Sequence, residues 1–281
     1  MTRKTRALAA LGIAIALHGC GAGGARKPAP AASAATSASP VLDRIQERGE
    51  LLIGTSGNQP PLNATTKDGR IVGLEVDLAR AMASAMDVKL RIITMPFSEL
   101  LAAVQSGKVD VVLSGMTMTP QRNLKVAFVG PYFVSGKSLL SKLETMSSVA
   151  DASEINSADM RLAALKGSTS QYFVERIIPK ATLTLTQDYD QAVQLVRQGK
   201  IDALIADYPF CAISVFRYPE DHLVTLKTPF TFEPLGIALP AGDPLLVNWV
   251  ENFLTMIEGT GVLFEITTKW FEDGSWVSQL R

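Results

Sequence analysis

The sequence predicts an α/β protein of two lobes, each a mainly parallel β-sheet flanked by helices. From residue 51 onward, apolar runs of strand length alternate with stretches of helical period. That order places parallel strands in one sheet with helices on its faces. The plan also recurs. Ala103-Val104-Gln105-Ser106-Gly107-Lys108-Val109-Asp110 is echoed by Leu195-Val196-Arg197-Gln198-Gly199-Lys200-Ile201-Asp202, each a helix end closed by glycine and followed by an apolar strand. With 281 residues, 47% hydrophobic and 19% charged, the chain suits a soluble globular protein of one or two domains.

The chain opens with a basic head, Met1-Thr2-Arg3-Lys4-Thr5-Arg6, and an apolar stretch from Ala7 to Leu17 that is too short to span a bilayer. Leu17-His18-Gly19-Cys20 then resembles a bacterial lipoprotein signal with Cys20 as the lipidated first residue, although His18 is an unusual occupant of that box. An ordinary secretory signal cut nearby is the alternative. Removing residues 1–19 takes Arg3, Lys4 and Arg6 from a balance of 27 basic and 27 acidic residues, leaving three net negative charges. Nothing in that balance suggests nucleic acid as a partner. If Cys20 carries lipid, Cys211 has no disulfide partner, and its neighbours Phe210, Ala212 and Ile213 make it a buried packing residue. His222 is the histidine that remains, and CxxC and HExxH spacings are absent, so no metal or other cofactor is expected. Gly21 to Pro40 is almost entirely Ala, Gly, Pro and Ser, a composition that cannot offset its ordering entropy and predicts a disordered tether.

The folded part is expected to start near Val41, with a short amphipathic helix stopped by Gly49 and a first strand over Leu51–Gly54. Gly73 to Met86 carries Leu74, Leu78, Met82 and Ala85 at helical spacing. Leu90–Ile93 reads as a strand, Phe97 to Gln105 as a helix, and Asp110–Leu113 as a short buried strand. That strand empties into Ser114-Gly115-Met116-Thr117-Met118-Thr119-Pro120-Gln121-Arg122. Small and hydroxyl residues at a strand's carboxyl end can receive an anion, and arginine offers a planar fork that matches a carboxylate. The plainer reading is a capped turn with a solvated arginine.

In the second half, Leu162–Leu165 is a strand followed by Lys166-Gly167-Ser168-Thr169-Ser170-Gln171, a capping arrangement with free N–H groups and hydroxyls. The strand Ala203–Ala206 delivers Asp207 at its end. Pro234 to Pro240 reads as a returning strand, and Pro244 to Ile257 as a long helix with Leu246, Val250, Phe253, Leu254 and Ile257 on its packing face. Trp249, Trp270 and Trp276 read as packing or lid residues. The two lobes thus present an anion-binding end and an acidic end.

Several of these stretches together resemble the extracytoplasmic solute-binding proteins of family 3, the polar amino-acid-binding components of ABC importers. The resemblance covers Val41 to Arg281. It rests on Gly54-Thr55 with Pro60-Pro61, Asp68-Gly69-Arg70-Ile71-Val72-Gly73-Leu74-Glu75-Val76-Asp77-Leu78-Ala79, Gln105-Ser106-Gly107-Lys108-Val109-Asp110, Gly115 to Arg122, and Pro131-Tyr132-Phe133. It implies a type II periplasmic-binding-protein fold with two hinge strands, a first lobe of 41–136 and 236–281, and a second lobe of 137–235. Segments 1–20 and 21–40 are then signal and tether.

By the same resemblance, Arg122 would hold a ligand α-carboxylate with help from Ser114, Thr117 and the Gly115 backbone. Thr169 would add a contact from the second lobe, Asp207 would pair with the α-ammonium, and Phe97 and Gln59 would line the side-chain end. The family's usual Pro-Pro-Phe is Pro60-Pro61-Leu62 here, which removes an aromatic wall. Ser56-Gly57-Asn58-Gln59 lacks the acid that relatives selective for lysine or arginine often carry, so a neutral polar or apolar amino acid is favoured. The implied partners are an ABC permease and, through Cys20, a membrane; the implied state is a lipid-anchored monomer in the periplasm or at the cell surface. Two other activities occur with this architecture: a periplasmic cyclohexadienyl dehydratase, and a ligand-sensing partner of a membrane receptor. A dehydratase needs a general acid beside the leaving hydroxyl, and Tyr208-Pro209-Phe210-Cys211 after Asp207 supplies none, which leaves Asp207 as the clear acid of the site.

Overall fold

The structure, a computed structural model, describes residues 39–147 and 152–281. The expected leader, Cys20 and the tether up to residue 38 lie outside the described residues. The last two tether residues are ordered instead. Ser39 is buried and donates its hydroxyl to Asp243 Oδ1 at 2.6 Å. Pro40–Arg48 form α1, with proline where no N–H is needed and Gly49 closing the helix at φ 66°. Asp243 fixes this start. Its carboxylate accepts the N–H of Val41 at 2.8 Å and of Leu42 at 3.2 Å, and also that of Leu246 at 2.9 Å in the first turn of a later helix. One side chain therefore satisfies orphan amides at two helix ends.

After α1 come β1 (Glu50–Thr55), a small antiparallel sheet of β2 (Asn58–Gln59), β3 (Asn63–Thr65) and β4 (Ile71–Val72), helix α2 (Leu74–Ala85) and β5 (Lys89–Thr94). A 3-10 turn over Phe97–Glu99 leads to α3 (Leu100–Gln105), β6 (Val111–Val112), the one-turn α4 (Pro120–Asn123) and the long β7 (Ala127–Ser135). The second lobe contains β8 (Lys137–Lys142), α5 (Leu143–Ser147), β9 (Arg161–Leu165), α6 (Thr169–Ile177), β10 (Thr182–Thr186), α7 (Tyr189–Arg197), β11 (Ala203–Asp207), α8 (Tyr208–Arg217) and β12 (Leu223–Thr225). Finally β13 (Glu233–Leu239) returns to the first sheet, followed by α9 (Pro244–Gly259) and α10 (Val262–Phe271).

The two sheets share one plan, β5-β1-β6-β13-β7 and β10-β9-β11-β8-β12. In each, the first two pairings are parallel and the last two antiparallel. The sheets are thus more mixed than the βαβ alternation predicts. The antiparallel members include β13 and β8, the strands that enter each sheet from the other lobe. Gly136 lies between β7 and β8, and a Cβ there would sit 2.4 Å from the Thr231 carbonyl oxygen. Glycine is what lets the outgoing and returning crossings pass this closely.

The echoed octapeptides form the same joint in three dimensions. Gly107 and Gly199 take φ 74° and 66°, and Lys108 and Lys200 each donate their N–H to the carbonyl five residues back, both at 2.9 Å. The aspartates then tie neighbouring elements, Asp110 to α1 and β1 and Asp202 to β9. Asp110 is fully buried and accepts Arg44 at 3.0 Å, Arg48, and the Leu52 N–H at 2.9 Å, while Asp202 accepts Arg161 N–H at 2.7 Å and its guanidinium at 2.5 Å. Around the first sheet, α2 buries Leu74, Leu78 and Met82, and α9 buries Leu246, Val250, Phe253, Leu254 and Ile257. Trp270 and Trp276 pack on each other with ring centroids 5.2 Å apart, and Trp249 stacks on Phe253. Cys211 is fully buried, and burial raises its thiol far above the usual range.

Candidate ligand-binding cleft

The first wall of the cleft grows from the end of β6. Residues 116–118 continue as an extended segment beside β13: Met118 N–H donates to the Pro234 oxygen at 2.8 Å and Gly236 N–H to the Met116 oxygen at 3.1 Å. This pairing brings Thr117 next to the returning crossing. Thr119 caps α4 by accepting the Arg122 N–H at 3.2 Å, which turns the Arg122 side chain back along the segment. Its Nη1 donates to the Thr117 oxygen at 2.8 Å, and its Nη2 crosses to the Gly167 oxygen of the second lobe at 3.0 Å. The Arg122 guanidinium lies 5.6 Å from the centroid of the buried Phe97 ring. Burial lowers its pKa, with Glu233 opposing that most strongly.

Behind this wall stands Glu75 of α2. Its carboxyl is buried and accepts the Gly115 N–H at 2.5 Å, the Tyr132 hydroxyl, and Asn63 Nδ2 at 2.6 Å. Asn63 Oδ1 in turn accepts the Gly57 N–H at 2.8 Å. Glu75 thus ties the loops after β1 and β6 to β7. Burial raises its pKa; the Tyr132, Gly115 and Asn63 donors pull it down, and nearby Asp207 adds to the rise. Gly73, at φ 136°, lets α2 start here, since a Cβ would lie 2.2 Å from the Leu62 carbonyl oxygen.

The opposite wall and the crossings hold the charges. Asp207 ends β11, and its Oδ1 lies 2.9 Å from Lys137 Nζ and 3.4 Å from the Ser135 hydroxyl. Lys137, the first residue of β8, has its side chain only 1% exposed. Its Nζ is also 3.7 Å from Glu233 Oε2. That same Glu233 oxygen accepts Thr117 Oγ1 at 2.7 Å and Thr169 Oγ1 at 3.0 Å, one from each lobe, while Oε1 accepts Thr231 at 3.1 Å. Beside this cluster a cavity of about 460 Å³ is lined by Thr119, Arg122, Gly167, Thr169, Tyr172 and Glu233, among others.

The structure therefore gathers Thr117, Arg122, Thr169 and Asp207 around the crossings, with Phe97 against Arg122 and the buried Gln59 carboxamide against Gly115. Two of the expected site residues have partners within the first lobe. The Gly115 amide is committed to Glu75, and the fully buried Ser114 hydroxyl accepts the Ser56 N–H at 2.9 Å and bonds Ser56 Oγ at 3.1 Å. Both sets of contacts lie inside the first lobe. Asp207 is not the lone acid here, because Glu233 shares the cluster and Lys137 already pairs with Asp207. Sequence reasoning missed Lys137, Glu233 and Glu75. The available signal for Lys137 was a lone lysine opening the apolar strand Ser138-Leu139-Leu140, directly after a glycine.

Residues 51–273 match the family described as bacterial extracellular solute-binding proteins, family 3. The chain belongs to this family. Among curated family relatives, it is 26% identical over 231 residues to the L-cystine-binding protein TcyJ of Escherichia coli (strain K12), covering 82% of this chain and 86% of that one. It is 25% identical over 231 residues to the cyclohexadienyl dehydratase of Pseudomonas aeruginosa, with the same coverage of 82% and 86%. Among solved structures, the ancestral amino acid-binding protein AncCDT-1, described as a precursor of cyclohexadienyl dehydratase, superposes with a TM-score of 0.75. That match has 34% identity and covers 82% of this chain and 99% of the other. The two-lobe type II periplasmic-binding fold is therefore shared. Among the described residues, no helix is long and apolar enough to cross a membrane and no side-chain cluster could hold a metal ion.

Proposed function

We propose that this solute-binding protein holds one amino acid between its lobes and presents it to an ABC permease outside the cytoplasm, anchored through lipid on Cys20. The observation that carries the reading is the placement of buried Arg122 on one lobe and buried Asp207 on the other, not paired with each other, on two sides of the crossing strands. Arg122 uses two of its N–H groups on carbonyl oxygens and keeps others for a carboxylate. Asp207 offers its remaining oxygen to an ammonium. Thr117 and Thr169 complete the ring from opposite lobes.

The catalytic alternative has a named relative, but the residues that follow Asp207 supply no carboxyl to act as its general acid. After Asp207, Phe210 is buried and stacks on Tyr189 with centroids 4.3 Å apart, and Tyr208, Pro209 and Cys211 carry no carboxyl. Glu233, the added acid, is arranged to accept hydrogen bonds from Thr117, Thr169 and Thr231. Binding without turnover is the reading these residues support.

A thermal-shift panel of the twenty amino acids and prephenate tests it. The cognate amino acid at a hundred times its Kd adds about 2.7 kcal/mol of stability, a shift of several degrees. Arg122→Ala and Asp207→Asn should each weaken that binding by roughly 2–5 kcal/mol, on the order of 30- to several-thousand-fold. Asp207→Asn should also lower the melting temperature without ligand, because it leaves Lys137 without its closest acid. A panel in which no amino acid shifts the protein, or in which prephenate is consumed, overturns the proposal.

A further inference from the structure

We propose that Lys137 is a built-in cation that reserves the cleft for amino acids whose side chains carry no positive charge. The inference rests on the amino-acid reading above and specifies the ligand class of that site. Four charged side chains meet in the cleft, and each is nine-tenths or more buried as a residue: Arg122, Lys137, Asp207 and Glu233. Glu75 stays out of the count because its carboxyl accepts three donors of the first lobe's own framework.

A bound amino acid brings one carboxylate and one ammonium. The carboxylate takes the free N–H groups of Arg122. Asp207 and Glu233 then face Lys137 alone, an excess of one negative charge, which one α-ammonium balances. A second cation on the ligand side chain would stand uncompensated where desolvation makes an unpaired charge costly. Geometry agrees with the count. The Lys137 Nζ already stands between the two acids, 2.9 Å from Asp207 and 3.7 Å from Glu233, so once the α-ammonium is bound a side-chain guanidinium or ammonium finds no second unbalanced acid there. The cavity beside Arg122 adds to this bias, since Lys125 and Arg176 line it and both are cations.

The test is calorimetric titration of the full-length protein with each of the twenty amino acids. In the wild type, the best neutral amino acid should bind at least tenfold more tightly than arginine or lysine. Lys137→Met should move that ratio at least tenfold toward arginine and lysine. The double variant Lys137→Met with Glu233→Gln removes one charge of each sign and should restore the neutral preference; Lys137→Arg should keep it. A ratio unmoved by Lys137→Met, or a wild type that binds arginine or lysine as well as any neutral amino acid, overturns the inference while the amino-acid reading stands. A wild type that binds none of the twenty overturns both. Should Lys137→Met not fold, Glu233→Gln alone decides. It leaves Asp207 balanced by Lys137, so the neutral amino acid should lose at least tenfold in affinity while its 2-oxo acid analogue loses less. Equal losses, or no loss, overturn the inference.

Discussion

Gly115 and Glu75 meet through an N–H···O contact of 2.5 Å, so the amide at the end of β6 is held by a buried carboxyl from α2. The isosteric change Glu75→Gln keeps an oxygen for Gly115 and Tyr132 but turns an amide N–H toward Asn63 Nδ2, donor against donor. Asn63 cannot flip to help, since its oxygen accepts from Gly57 and Ser56. The expected cost is about 1–3 kcal/mol. Glu75 also has a pH signature. Its folded pKa is raised, so between the ordinary carboxyl value and the raised one the folded state binds more protons than the unfolded state, and stability falls as pH rises. Chemical denaturation across pH should show that slope in the wild type and lose it in Glu75→Gln. An unchanged slope would remove Glu75 as its source.

Asp243 has the opposite dependence. Burial alone would raise its carboxyl, but the Ser39 hydroxyl and the amides of Leu246, Val41 and Leu42 outweigh that and hold it below the usual range. The stability it supplies is present above the unfolded carboxyl pKa and is lost as pH falls through the depressed one. Asp243→Ala should cost about 1–3 kcal/mol at neutral pH, because amides at two helix ends lose their acceptor. The difference from wild type should shrink below about pH 4. Melting curves that stay equally far apart at pH 3 and pH 7 would contradict this.

Contacts between the lobes include Thr117 and Thr169 with Glu233, and Arg122 with Gly167. Thr169→Val keeps the side-chain shape and removes the second-lobe donor to Glu233. Small-angle scattering of this variant without ligand should show a larger radius of gyration than wild type, and a ligand that both lobes touch should reduce it. Superimposable curves in all states would show that these hydroxyls do not set closure.

The basic head, short apolar run and Cys20 predict an anchored protein. Cys20→Ser should abolish fatty-acid labelling and release the protein from membranes. A wild-type protein that takes up no lipid label and washes off without detergent would be evidence for the ordinary secretory signal instead.

The alternation of strands and helices, the two-lobe repeat and the segment that carries Arg122 can all be read from the chain alone. These are local properties: period, capping and a glycine closing a helix can be read over ten residues. The echo of Ala103–Asp110 in Leu195–Asp202 survives as the same hydrogen-bonded joint for that reason. The position of Asp207 at the end of β11 and of Arg122 on the segment beyond β6 was legible too, because each comes after an apolar strand.

Tertiary structure alone decided what those side chains face. Lys137, Glu233, Asp207 and Thr117 are separated by 20 to 116 positions along the chain, and no local pattern states that two crossing strands will bring them within hydrogen-bonding reach. The same holds for Gly115, whose amide looks free in the sequence until Glu75, 40 residues earlier, is packed beneath it. A buried donor or charge takes whichever partner the fold brings near, and that choice is made by packing across the chain and not by neighbours along it.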